Sequence, residues 1–233
     1  MKQVRFENPG LAALGIEPMT LEELRNKVRN IDISSPERVA FYLLMLVNSG
    51  EGVHTVDFQG WPLSTGTLLF VRPGQVQQWH MNDTLSAQLI IIDPASVPMD
   101  IERNGSNEGN LLALFEWQPC IHLPAGLYEH AQASFLRLRS DFERFDNSEL
   151  DTILIRHELL ALLLRLARWQ RDLAVSSVSL RKGRKTYRLF IKELEQHFQT
   201  EHSLRYYARR MGYAQSTLSR ACMAAEGRTA KVA

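Results

Sequence analysis

Between Arg38 and Asp93 the chain alternates short apolar, β-branched runs with clusters of turn residues. The runs are VAFYLLMLV, VHTVDF, TLLFV and SAQLIIID, and NSGEG, QGWPLSTG, RPGQ and HMNDT separate them. Turn signals at such short spacing predict antiparallel strands in a sandwich or barrel. The runs at 39–47 and 88–92 are almost continuously apolar, which predicts strands covered on both faces. Ahead of this region one helix is expected from Thr20 to Val28, with Thr20 as its cap and Glu23 at the reciprocal capping-box position, forming an N-terminal arm or lid.

A helical period takes over after the loop Asn104–Asn110. Phe135, Leu138, Phe142 and Phe145 recur at spacings of three and four, predicting an amphipathic helix over 131–145. A second helix is expected from Ser148 or Glu149 to about Asp172. It is apolar around much of its circumference between Leu159 and Leu166, yet too short to span a bilayer. Such a helix belongs in a core or at a subunit interface. One sandwich face covers only one side of it, so Leu159, Leu163 and Leu166 are expected at a homodimer interface. The Ser-rich residues 173–182 read as a linker between a unit at 1–172 and a smaller one at 183–233.

Within that smaller unit, a helix over 186–198 precedes two short helices, 203–211 and 215–225, joined tightly at Gly212. A left-handed residue leaving one helix, with Gln215, Ser216 and Thr217 opening the next, is the pattern of a helix-turn-helix. Leu204, Tyr207, Ala208, Met211, Leu218 and Cys222 fall on the inner faces. Arg205, Arg209, Arg210, Ser216, Ser219 and Arg220 fall outside, a set able to meet phosphates and base edges in a major groove, or simply a solvated basic face.

Charge sharpens this division. Residues 1–180 carry 15 Lys and Arg against 22 Asp and Glu, a net −7, whereas residues 181–233 carry 12 against 4, a net +8. The basic end is the part expected to meet a polyanion. With 45% hydrophobic and 23% charged residues the composition is that of a soluble globular chain. The N-terminus lacks an apolar signal core, and no run is long enough for a membrane span, so a cytoplasmic protein without a membrane partner is expected. Cys120 and Cys222, far apart in sequence, read as reduced thiols.

Two stretches carry a family resemblance. YARRMGYAQSTLSRACMAAEGRTAK resembles the first helix-turn-helix of AraC/XylS-type transcription regulators, and SPERVAFYLLMLVNSGEGVHTVDFQGWPLSTGTLLFVRPGQVQQW is similar to their cupin-like sensor domain. The resemblance implies an α+β chain: a cupin-like double-stranded β-barrel, a helical dimerisation element and a partial helix-turn-helix domain. It also implies DNA contacts from Ser216, Ser219 and Arg220 to bases and from Gln215 and Thr217 near phosphate, with Arg209 and Arg210 alongside. Cys222 stands where the family usually has a large aromatic residue, which implies looser packing. The family has two helix-turn-helix units, and the chain stops at Ala233 just after the first. The expectation is therefore a truncated product or a dimerising form that binds DNA weakly as a monomer.

The resemblance also frames the sensor. Cupin enzymes hold a metal through paired His residues and a Glu, but here the first motif offers only His54 and Gln77 replaces the second-motif His. An amide is a poor ligand for a transition metal, so neither a metal, another cofactor nor enzymatic activity is expected. Arg38, His54, Gln77 and Trp79 are instead the candidate contacts for a small-molecule effector, although Glu37 stands where the family has a His before the Arg. The expected function is a ligand-responsive DNA-binding regulator. The alternative is a dimerising small-molecule-binding protein without DNA binding of its own.

Overall fold

The computed structural model describes residues 2–6, 8, 11, 13–29, 33–80, 84–97, 112, 114, 117–175, 186–187, 189–191, 193–194, 197–198 and 200–226. The expected loop at 104–110 and linker residues 176–182 lie outside them. Two compact units are found, Met1–Arg165 and Leu166–Ala233. The division falls within a long helix, ahead of the boundary expected from composition.

The first unit is built on two five-stranded sheets. One has the order β1 (Lys2–Val4), β3 (Glu37–Val39), β8 (Val76–Trp79), β5 (Glu51–Val56), β6 (Gln59–Ser64). The other runs β10 (Cys120–His122), β7 (Thr67–Val71), β4 (Tyr42–Ser49), β9 (Ser86–Ile92), β2 (Ile16–Thr20). Every pairing is antiparallel except β1 with β3. Both sheets feed one core, in which Val39, Val56 and Trp79 of the first meet Leu43, Met45, Leu69 and Leu89 of the second.

The expected barrel is not closed: the two ladders stay separate and the fold is cupin-like with open edges. Edge strands β2 and β6 each contain a proline, Pro18 and Pro62. A proline has no N–H to donate to a further strand, so each ladder ends there.

The two apolar runs are buried on both faces as expected. Leu43, Met45 and Val47 of β4 point into the inter-sheet core. Leu44 and Leu46 point to the other face and are equally buried, with Leu68, Phe70 and Ile90 beside them in the same sheet. That outer face is covered by α2 (Ala125–Glu143), which packs on β2 and β9, and by Trp117, whose ring lies 5.0 Å from that of Phe70. Removing a Leu side chain from water contributes about 2 kcal/mol, so this doubly covered strand is a main source of stability.

The expected Thr20 capping box is present. Thr20 Oγ1 accepts from the Glu23 backbone N–H at 3.1 Å, and the Glu23 carboxylate accepts from the Thr20 N–H at 2.7 Å, opening α1 (Leu21–Lys27). The same carboxylate receives a bidentate pair from Arg139 of α2 at 2.8 and 2.9 Å. Foremost the Thr20 N–H, and then Arg139, hold the Glu23 carboxyl below its ordinary range. One side chain thus both starts α1 and latches it to α2.

The β5–β6 hairpin turns through Asp57 and Phe58, both at positive φ, 49° and 65°. A two-residue type I′ turn needs that conformation and usually recruits Asn-Gly for it. Asp57 is compensated: its carboxylate accepts from Gln75 Nε2 at 2.8 Å and the Val76 N–H at 3.0 Å. Phe58 is exposed and gains little from its position. Asp57→Ala is therefore expected to cost about 2 kcal/mol, whereas Phe58→Gly should leave stability equal or up to about 0.5 kcal/mol higher. Urea midpoints of the two variants check this.

Helix α3 (Glu149–Val175) opens after Ser148, whose Oγ accepts the Asp151 N–H at 3.1 Å. Its all-round apolarity resolves into two stripes. Ile155, Leu159, Leu162, Leu163 and Leu166 are buried, while Leu150, Ile153, Leu154 and Leu164 are exposed. This corrects the interface expectation for Leu159, Leu163 and Leu166: they are at most 1% exposed within the chain itself and cannot be reached by a second copy. Among the described residues no helix is long and apolar enough to cross a membrane.

In the second unit, residues between 186 and 197 are helical where described. They are followed by α4 (Leu204–Arg210) and α5 (Gln215–Glu226). Gly212 has φ 69°, and the Tyr213 N–H reaches Ala208 O at 2.9 Å while the Gly212 N–H reaches Arg209 O at 3.2 Å. This is a Schellman ending, and the left-handed residue it requires is best supplied by glycine. Phe190, Tyr207, Ala208, Leu218 and Cys222 form the small core, so Cys222 is packed inside as expected for its position. The buried Tyr207 hydroxyl donates to Glu201 O at 2.7 Å.

Candidate functional site

Alternation along three neighbouring strands builds a polar row inside the first unit. In β3, Val39 and Glu37 face inward and Arg38 faces out. In β8, Gln77 lies opposite Glu37, and Trp79, two residues on, lies opposite His54 of β5. Glu37, His54, Gln77 and Trp79 are all buried. The structure therefore brings together three of the four expected effector contacts and corrects the fourth. Arg38 is exposed on the opposite face of its strand, where its guanidinium donates to the carbonyl of Gly74. The inward carboxylate is that of Glu37, and the signal for it was the period of two from Val39.

Inside the row, Gln77 Nε2 donates to Glu37 Oε1 at 2.9 Å. That bond fixes the amide with its oxygen turned away from the carboxylate, and Gln77 Oε1 has no hydrogen-bond partner. The ring of His54 meets Trp79 edge-on with centroids 4.6 Å apart, and His54 Nε2 is also without a hydrogen-bond partner. Burial pushes the imidazole from 6.5 down to about 4, against the opposing influence of the adjacent Gln77 amide, with His80 lowering it further. His54 is accordingly neutral at pH 7.

The ring of His54 borders a narrow crevice that also touches Leu21 and Arg25 of α1, Met45, Val53, Leu63, Trp79, His80 and Leu85. Its free space is about 10 Å³, roughly what one water needs. Arg25 stands at the crevice with its Nη2 donating to Leu85 O at 3.1 Å. Leu21 and Arg25 were not expected here, because the capping signal locates α1 in sequence without saying which strand end it covers. Among the described residues no cluster of three or more His, Cys, Asp or Glu side chains forms a metal ligand set. Cys120, on β10, is pushed up to about 11 by burial, which leaves its thiol protonated and unreactive at neutral pH.

In the second unit the side chains separate as the helical period requires. Gln215, Ser216 and Arg220 on α5 and Arg205, Arg209 and Arg210 on α4 are exposed; Thr217 and Ser219 are half-buried. Arg210 is engaged by Glu193, while Arg220 Nε donates to Ser216 O at 3.3 Å along its own helix. The open hollow beside Ser203, Arg205, Tyr206, Arg209 and Arg210 is thus cationic.

The model for the AraC-like ligand binding domain matches residues 25–179, more than half of the chain. No match is found among curated proteins. Among solved structures, the AraC-like transcriptional activator CuxR aligns at 9% identity and a TM-score of 0.35, over 78% of this chain and 60% of that one. The chain thus spans 60% of the length of CuxR. An apo variant of ToxT from Vibrio cholerae strain SCE256 aligns at 9% identity and a TM-score of 0.39, over 94% and 97% of the two chains. ToxT from Vibrio cholerae O395 bound to (E)-4-(8-methylnaphthalen-1-yl)but-3-enoic acid aligns at 8% identity and a TM-score of 0.31, over 93% and 96%. Two sheets around a buried polar row, together with a family match running from α1 to the end of α3, identify the chain as a member of the AraC-like ligand binding domain family.

Proposed function

We propose that the chain is a ligand-responsive transcription regulator in which the crevice beside His54 senses a small effector and α4 with α5 form a helix-turn-helix that meets DNA. The observation that carries the DNA half is the partition of α5: Leu218 and Cys222 are buried while Gln215, Ser216 and Arg220 are exposed, within a segment whose charge is net +8 over residues 181–233. Ser216, Ser219 and Arg220 would read bases, Gln215 and Thr217 would lie near phosphate, and Arg209 and Arg210 would add backbone contacts. The site is assigned binding rather than catalysis, without metal or cofactor.

A second copy is the proposed partner, and the exposed stripe of α3 supports it. Leu164 lies about four turns beyond Leu150 on a similar heading, with Ile153 and Leu154 next to the latter. A homodimer would present two copies of the helix-turn-helix, so that both engage one duplex with more avidity than either alone. The same stripe favours the second reading, a dimerising ligand-binding protein without DNA affinity of its own.

An electrophoretic shift on DNA upstream of the chain's own coding sequence separates the two. Retardation that weakens steeply between 50 and 200 mM salt is expected, with a loss of about 10-fold in Arg220→Ala, since one good base contact contributes about 1–3 kcal/mol. Unretarded DNA at 50 mM salt from a chain that still dimerises would select the second reading.

A further inference from the structure

The cationic hollow in the second unit bears on how a phosphate is held there and which side chain prepares its seat. This step rests on the reading of α4 and α5 as the DNA-binding element, and it deepens that reading. Spacings of four put Arg205 one turn before Arg209 and Tyr206 one turn before Arg210, and both rows border the hollow, with Ser203 at its start. Its open space of about 450 Å³ is far more than one ion needs and admits a phosphodiester with the sugars on either side. Among the described residues no carboxylate lines it, and neither Arg205 nor Arg209 has an ion-pair partner.

Arg210 differs from the other two. Its Nε donates to Glu193, a carboxylate from the preceding helical segment that is not itself part of the hollow's lining. Glu193 is the more sheltered partner, 27% exposed against 47% for Arg210, and His197 Nδ1 stands 3.9 Å from the same carboxylate oxygen. The acid takes Nε–H and not the two Nη groups, the fork with which an arginine meets a phosphate through parallel hydrogen bonds. Two effects of Glu193 on a bound phosphate oppose each other. Its charge repels the phosphate, which at an exposed site weakens binding about two- to fivefold and is screened by salt. Its hold on Nε fixes an arginine in advance, a side chain among the costliest to immobilise on binding, and salt does not screen that gain. We propose that Glu193 is a positioning residue for DNA binding: it sets Arg210 so that α4 closes on one backbone phosphate with Arg205, Arg209 and Arg210 together.

Electrophoretic shifts of the whole chain on the same upstream DNA test this through a sign. By charge alone, removing a carboxylate from a basic surface tightens DNA binding. Glu193→Ala is expected instead to weaken it at least about fivefold, because Arg210 is no longer fixed. Glu193→Gln, whose amide oxygen still accepts from Nε while the charge is gone, is expected to bind about two- to fivefold more tightly than wild type. In an Arg210→Ala background Glu193→Ala should no longer weaken binding, because nothing is left to position. Glu193→Ala binding as tightly as wild type or tighter, or a loss that persists without Arg210, overturns the assignment. A second measurement needs no Glu193 variant: the Nε–H signals of isotope-labelled arginines, followed by NMR as the wild-type chain is titrated with inorganic pyrophosphate. Those of Arg205, Arg209 and Arg210, each assigned by its loss in the Ala variant, are expected to move together and ahead of the remaining arginines. An Arg210 signal that lags behind overturns the assignment even where Glu193→Ala fails to fold. The regulator reading is judged separately: retarded DNA with a lagging Arg210 signal sinks only the phosphate seat, and the three signals moving together without retarded DNA supports the seat and sinks only the regulator.

Discussion

Leu163→Asp is expected to unfold the first unit rather than separate two protomers. Leu163 is 1% exposed, one turn from the equally buried Leu159 and beside the buried Leu162. Replacing it removes the favourable transfer of a Leu and places a carboxylate in an apolar layer. Truncation of a buried Leu costs about 2–5 kcal/mol, and forcing a charge into the same space adds several more. A small domain holds only about 5–15 kcal/mol in reserve, so this substitution removes most or all of it. Leu154→Asp supplies the contrast. Its side chain is 49% exposed, so the fold should survive with a change below about 1 kcal/mol, while a dimer built on the outer stripe of α3 should dissociate. Circular dichroism and light scattering on both variants give the answer: a helical, monomeric Leu154→Asp beside an unfolded Leu163→Asp is the expected pair. A folded Leu163→Asp chain would mean that α3 does not bury the stripe described here.

The contrast between those two leucines also marks where sequence reasoning stops. Period and composition located α3 and showed that its apolar surface exceeds one stripe. Which stripe is inside depends on what lies above it, and no local pattern encodes that. The same limit explains the strands. The apolar centres of β4, β7 and β9 stand out because both of their faces are covered. β6, with Pro62 at a sheet edge, lies in the run QGWPLSTG and reads as a turn; β2, with Pro18 at the other edge, gives no strand signal; and β8 carries two glutamines. Where the inside of the fold is polar, the apolar-in rule fails. Gln77 and His54 were legible as candidates through a family resemblance, whereas Glu37 needed the observed phase of β3, and Arg38 was misjudged because the phase was not known. In the C-terminal unit the reverse held. Gly212 and the spacing of Tyr207, Ala208, Leu218 and Cys222 fix a local geometry that needs no distant partner, and the inner and outer sets emerge nearly as the helical period assigns them.

Acid is expected to weaken the fold through His54, by on the order of 3 kcal/mol between pH 6.5 and pH 4. The sign follows from proton counting. In the unfolded chain the imidazole takes up a proton near its ordinary 6.5, whereas in the fold burial depresses the value to about 4. Over that window the unfolded chain binds more protons than the folded one, so stability falls as pH falls. Above pH 6.5 the imidazole is neutral in both states and the contribution is fully present; below about 4 both are protonated and the loss is complete. Carboxylates also begin to titrate at the acid end, so the diagnostic quantity is a difference in slope. His54→Gln keeps a polar side chain beside Gln77 and has no charge to gain, and its unfolding free energy in urea should be flatter than wild type from pH 6.5 down to pH 4. Parallel slopes would assign the acid sensitivity elsewhere and imply that the imidazole already reaches solvent.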